Sequence, residues 1–186
     1  TNVLTTFQMF ANSDLFNSSI TISDTSNVTT MDRMFERCTA FNKPLSFDTS
    51  SVTNMFRMFS RCTTFNQSVS FDTGNVLNMS GMFEYNDNLN SPITFSDTSN
   101  VVNMGSMFRN STNFNQSINF NSSSVTNMIY MFYQCSLLNA PIEIDTTSCT
   151  NMSYMFQQCS VLDSSITFNG GTSAVVNMFR MFSGCI

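Results

Sequence analysis

The dipeptide Met-Phe occurs at Met9-Phe10, Met34-Phe35, Met58-Phe59, Met82-Phe83, Met107-Phe108, Met131-Phe132, Met155-Phe156 and Met181-Phe182. Successive pairs are 25, 24, 24, 25, 24, 24 and 26 residues apart. A period near 24 residues constrains the chain strongly. One unit of that length cannot bury its own apolar face, so neighbouring copies must stack to make a core. Around each pair the frame is V-x-x-M-x-x-M-F-x-x-C-x-x-F-N-x-x-I-x-F, followed by Asp-Thr-Ser or a near variant. The Val column is Val3, Val28, Val52, Val76, Val101, Val125, Cys149 and Val175.

The frame splits into two halves. Val52, Met55, Met58, Phe59 and Cys62 stand at helical offsets, which predicts one apolar face of an α or 3₁₀ turn. Asp48, Thr49, Ser50 and Ser51 precede it with side-chain oxygens suited to an N-cap. Val69 and Phe71 alternate with Ser68 and Ser70, which predicts a short strand buried on one face. The corresponding strand column is Ile20, Leu45, Val69, Ile93, Ile118, Ile142 and Ile166. The expected fold class is an α/β solenoid of about 24-residue units, with a parallel β-sheet on one face and short helices on the other. The expected organisation is a single repeat domain, 1–186, with coils at about 1–22, 23–47, 48–71, 72–95, 96–120, 121–144, 145–168 and 169–186. Because the chain begins and ends inside the frame, it reads as a segment of something longer.

A longer period overlies the short one. Ser50-Ser51-Val52-Thr53-Asn54-Met55 recurs 73 residues later as Ser123-Ser124-Val125-Thr126-Asn127-Met128 (123 − 50 = 73). This implies a three-coil superunit, read either as ancestral duplication in threes or as a periodic ridge for self-association or for a repeating ligand.

Strand, turn and helix in about 24 residues resembles the leucine-rich repeat plan, with Phe, Met, Ile and Val largely replacing Leu. The wording V-T-N-M-x-x-M-F-x-x-C-x-x-F-N resembles the BspA-like repeat family of bacterial and protist surface proteins. The resemblance covers essentially the whole chain. Members often carry Trp before the Asp-Thr-Ser turn, where this chain has Phe47 and Phe71. The resemblance implies a right-handed coil and a surface-exposed binding or adhesion role, and it brings no catalytic residues.

Composition narrows the function. The chain has 186 residues, 10% charged and 41% hydrophobic, a net charge of -5 and no His. The seven Lys and Arg look dispersed along the sequence, which argues against a nucleic-acid partner. No apolar run approaches a membrane span, so no membrane insertion by this segment is expected. Without His there is no Ser-His or Cys-His pair, and no paired carboxylates stand out from the repeat; no enzyme is expected. No cofactor is implied. No zinc site is expected, since neither Cys-x-x-Cys nor His is present to complete a ligand set.

Several columns are candidate structural or binding features. Cys38, Cys62, Cys135, Cys159 and Cys185 share one column with Asn86 and Ser111, and read as buried thiols packing as small hydrophobes. In leucine-rich repeats, this column usually faces inward and bonds neighbouring loop backbone. Bridges between neighbouring Cys are open if Cα atoms approach within about 7 Å. Asn17, Asn42, Asn66, Asn90, Asn115 and Asn139, closed by Asp163, read as an amide ladder satisfying turn backbones. Asp24, Asp48, Asp72, Asp97 and Asp145 read as helix caps and Asx turns, with calcium the lesser alternative. The outward strand column Thr21, Ser46, Ser70, Thr94, Asn119, Glu143 and Thr167 is small, polar and nearly uncharged. In a leucine-rich repeat this column lines the concave face, where ligands bind. The expected function is a non-catalytic extracellular surface adhesion or recognition module, taking a protein or glycan ligand through that face. The alternative is a structural segment of a surface fibre or filament, assembled from copies of itself by end-to-end stacking of coils. The low charge and the sequons at Asn27 and Asn121 favour the outside of a cell or a virion.

Overall fold

The computed structural model describes residues 3–185, so the outermost residues of the expected first and last coils lie outside it. Each 24- to 26-residue unit lies parallel on the next. Backbone bridges run Thr5↔Thr30, Thr30↔Asn54, Asn54↔Asn78, Asn78↔Asn103, Asn103↔Asn127, Asn127↔Asn151 and Asn151↔Asn177 without a break.

The expected α/β solenoid with helices on one face is not found: among the described residues there is no helix. The Met-Phe segment is a run of overlapping β-turns. In the third unit Met58, Ser60 and Cys62 N–H donate to the Met55, Arg57 and Phe59 carbonyls, three residues back. The intervening N–H groups of Met55, Arg57, Phe59 and Arg61 donate to Asn78, Ser80, Met82 and Glu84 of the next unit, at 2.8–3.1 Å. The remaining one, Phe56 N–H, donates to the Asn54 side-chain oxygen at 3.1 Å. Every donor of the segment is thus used, half of them across units.

This arrangement needs φ > 0 at the third position of alternate turns, the mark of type II geometry. Arg57 (φ 50) and Arg61 (φ 63) take it, and the same two positions repeat in every unit from Gln8 and Asn12 to Arg180 and Gly184. A left-handed residue costs about 1–2 kcal/mol. Two such residues per unit are offset by four inter-unit hydrogen bonds of roughly 0.5–1.5 kcal/mol each and by the packing beneath. A helix would turn the N–H groups after its first turn inward along its own axis, and the alternating donors that join each unit to the next would be lost. Eight residues are also too few to hold a helix alone.

The opposite side is strand, but less of it than expected. β1 (Val69–Phe71) pairs with β2 (Ile93–Phe95), and β3 (Ile142–Asp145) with β4 (Ile166–Asn169), as two separate parallel pairs. Val69 lies opposite Ile93 and Ile142 opposite Ile166, with Ile118 joined to Ile142 by a single bridge. The segments at Ile20 and Leu45 form no strand. The continuous ladder runs instead through the Asn54 column, where the turn run fixes the backbone of every unit.

The apolar columns lie between the two sides. Val52, Met55, Met58, Phe59 and Cys62 are fully buried, as are their counterparts in the interior units. The Phe rings of the Met-Phe pairs form one continuous stack from Phe10 to Phe182, with centroids 5.3–5.7 Å apart and planes within 8°. The stack lies against a second column in which Phe16, Phe41 and Phe65 give way to Leu89, Phe114 and Leu138.

Candidate binding faces

The sequence-predicted columns fall into structural ladders and one open face. In the cysteine column, Cys62 Sγ donates to the Phe35 carbonyl of the preceding unit at 3.0 Å. Cys38, Cys135, Cys159 and Cys185 bond Phe10, Phe108, Phe132 and Phe156 in the same way, at 3.0–3.1 Å. All six cysteines are free thiols. Burial pushes Cys62 and Cys135 well above the ordinary thiol range and Cys159 up to about 12. With so little thiolate, these groups are poor nucleophiles. Ser111 fills the column with a hydroxyl bonded to Phe83 O at 2.7 Å. Asn86 does not fit it: the residue is fully buried and neither side-chain polar atom finds a partner.

The asparagine column makes a second ladder. Each side-chain oxygen from Asn17 through Asn139 accepts the backbone N–H of the next member, ending at Asp163, over 2.8–3.0 Å. Two further polar columns were not singled out by sequence reasoning. Asn54, Asn78, Asn103, Asn127, Asn151 and Asn177 each accept the N–H two residues on. Their recurrence immediately before the first Met of each Met-Phe segment was the available signal. Thr25, Thr49 and Thr98, all buried, donate their hydroxyls to Asp48, Asp72 and Asn121 of the next unit at 2.8 Å.

The aspartates cap turns, since among the described residues there is no helix for them to cap. Asp48 Oδ1 accepts Ser50 N–H at 3.0 Å and Ser50 Oγ–H at 2.6 Å, and Asp24 does the same with Ser26. These serine hydrogen bonds hold both carboxyls below the usual carboxylate range. Among the described residues no group of three or more His, Cys, Asp or Glu is placed to hold a metal ion.

Two faces remain open. On the strand side Thr21, Ser46, Ser70, Thr94, Asn119, Glu143 and Thr167 are all exposed, with Ser70 opposite Thr94 and Glu143 opposite Thr167. The turn side was missed in the sequence. The cations are not dispersed in space: Arg33, Arg37, Arg57, Arg61, Arg109 and Arg180, six of the chain's seven Lys and Arg, stand on the turn run. All four tyrosines, Tyr85, Tyr130, Tyr133 and Tyr154, stand there too.

Cations and rings interleave along this side. Arg33 and Arg57 lie 4.8 and 5.2 Å from the Phe56 ring centre, and Arg61 lies 4.3 Å from that of Tyr85. Arg109 lies 5.1 Å from Tyr130, which stacks on Tyr154 at 4.6 Å. Glu84, 3% exposed, bridges Arg57 from the unit before (3.4 Å) and Arg109 from the unit after (3.3 Å). A groove of about 450 Å³ runs along this face, lined by Asn12, Asp14, Arg37, Thr39, Arg61, Thr63, Tyr85 and Asp87.

The chain is therefore a protein of stacked parallel repeat units. It belongs to the family described as Mycoplasma protein of unknown function, DUF285, whose model matches residues 1–94 and again residues 77–186. No curated protein and no solved structure matches it. Among the described residues no helix is long and apolar enough to cross a membrane.

Proposed function

We propose that this chain is a non-catalytic recognition module, displayed at a cell surface, that binds a protein or glycan. The observation that carries the reading is the gathering of arginine and tyrosine on the turn face. These residue types supply much of the binding energy at protein interfaces, because each offers a large contact area with a polar tip. In a chain with 10% charged residues, their confinement to one side supports reading that side as the binding surface. The backbone beneath is held by hydrogen bonds between units, so the side chains are presented on a rigid support.

The strand column from Thr21 to Thr167 is the second candidate surface, supported by its unbroken exposure. The BspA-like wording of the repeat supports the surface setting. So do the exposed Asn27 and Asn121. The test is a glycan and surface-protein array probed with the labelled chain, repeated with Tyr130→Ser/Tyr154→Ser and with Ser70→Arg/Thr94→Arg. Loss of the captured ligand with the tyrosine pair, and not with the strand pair, is expected. A blank array, or capture that neither pair alters, refutes the reading.

A further inference from the structure

The groove along the first four units combines features that the rest of the turn face lacks. Arg37 and Arg61 are exposed and occupy the same place in consecutive units. Among the described residues neither takes part in an ion pair, whereas Arg33, Arg57 and Arg109 do. The Arg61 guanidinium is held over Tyr85, so one of the two is already ordered. The two backbones are one unit apart, a step that the Phe35 and Phe59 rings mark as 5.5 Å. Two planar guanidinium forks at that separation suit one anionic group.

The other lining residues are hydroxyl chemistry. Thr39 and Thr63 line the groove beside the arginines, and Asn12, Asp14 and Asp87 supply acceptors around them. The Thr39 hydroxyl already donates to Asp14 O at 3.1 Å, which leaves its oxygen free to accept. Asp14 and Asp87 would repel a run of carboxylates but accept hydrogen bonds from neutral hydroxyls. The unit that carries Tyr85 and Asp87 also carries Asn86, the buried amide without partners. Local rules broken at a cost in stability are expected beside functional sites. A volume of about 450 Å³ lies within the range of small-ligand sites.

We propose that this groove binds an anionic saccharide, with one acidic group between Arg37 and Arg61 and flanking sugar hydroxyls on Asp14, Thr39, Thr63 and Asp87. The assignment rests on the recognition reading above and names its ligand class. The experiment is titration calorimetry of the full chain with trigalacturonate, its neutral methyl ester and tetraglutamate. The variants are Arg37→Asn and Arg61→Asn, since Asn12 and Asn110 hold the same left-handed position in other units. Circular dichroism confirms that they remain folded.

Trigalacturonate should bind, its methyl ester at least about tenfold more weakly, and each variant about ten- to a hundredfold more weakly, as expected for a lost charge-assisted contact. Arg61→Lys should fall between, because an ammonium cannot fork. Absent trigalacturonate binding, equal binding of the ester, tighter binding of tetraglutamate, or unchanged variants each overturns the proposal. If trigalacturonate fails while an array ligand still binds the Arg37→Asn/Arg61→Asn chain, the groove assignment falls and the recognition reading stands. If the array is also blank, both fall.

Discussion

Replacing Asn86 by Cys should stabilise this protein, although it puts a natural residue's polar group out of the core. Asn86 is fully buried, and its Oδ1 and Nδ2 have no hydrogen-bond partner. A buried polar group left unpaired costs about 1–3 kcal/mol. At the same place in other units a thiol donates to the carbonyl of the preceding unit's Phe, as Cys62 does to Phe35. The equivalent acceptor for position 86 is the Phe59 carbonyl, which receives only the Cys62 N–H. Cysteine there removes the two orphans and supplies the missing donor, while the backbone bond from Asn86 N–H to Ser111 Oγ is untouched. The expected gain is about 1–3 kcal/mol. For a chain of this size that raises Tm by roughly 2–12 °C. Asn86→Ser should gain less, since a hydroxyl completes the bond, as in Ser111, but leaves more empty space. The reverse change, Cys62→Asn, should lose a similar amount. Urea and thermal melts of the three variants measure this. If Asn86→Cys and Asn86→Ser both melt at or below the parent temperature, the amide is satisfied where it stands and the reasoning fails.

Phe83→Ala opens a cavity in the middle of the ring stack, between Phe59 and Phe108, and should cost about 3–5 kcal/mol in denaturant melts. Ser106 has φ 57, so Ser106→Val should cost at least about 1–2 kcal/mol while Ser106→Gly is neutral or mildly stabilising. Serine hydrogen bonds lower the folded-state pKa values of Asp24, Asp48 and Asp97 below the ordinary carboxylate value. Their contribution is present above the unfolded pKa, near 3.8, and is lost as pH falls through the folded values. Stability should therefore decline below about pH 4. Asp24→Asn/Asp48→Asn/Asp97→Asn should flatten that decline without losing the turns, since Asn121 makes the same turn with Ser123; melts between pH 2 and 6 check it.

The period, the stacking of units and the inward columns were legible in the sequence, because each unit's apolar residues recur at fixed offsets and have nowhere else to go. Val52, Met55, Met58, Phe59 and Cys62 were assigned to the core and are there. What they were built into was misread. The same offsets put the same side chains inward in a helix and in a run of β-turns. The two differ in the backbone: the turn run takes left-handed residues at two fixed places and sends alternate N–H groups to the next unit. That choice depends on a neighbour already in place, and Arg57 and Arg61 in left-handed conformation carry no glycine to announce it. The binding face was hidden for a related reason. Arg37 and Arg61, or Tyr130 and Tyr154, are far apart along the chain and adjacent only once the units are stacked in register. Local pattern determined what is buried; the hydrogen bonds between units decided the backbone, and with it which charges and rings share a surface.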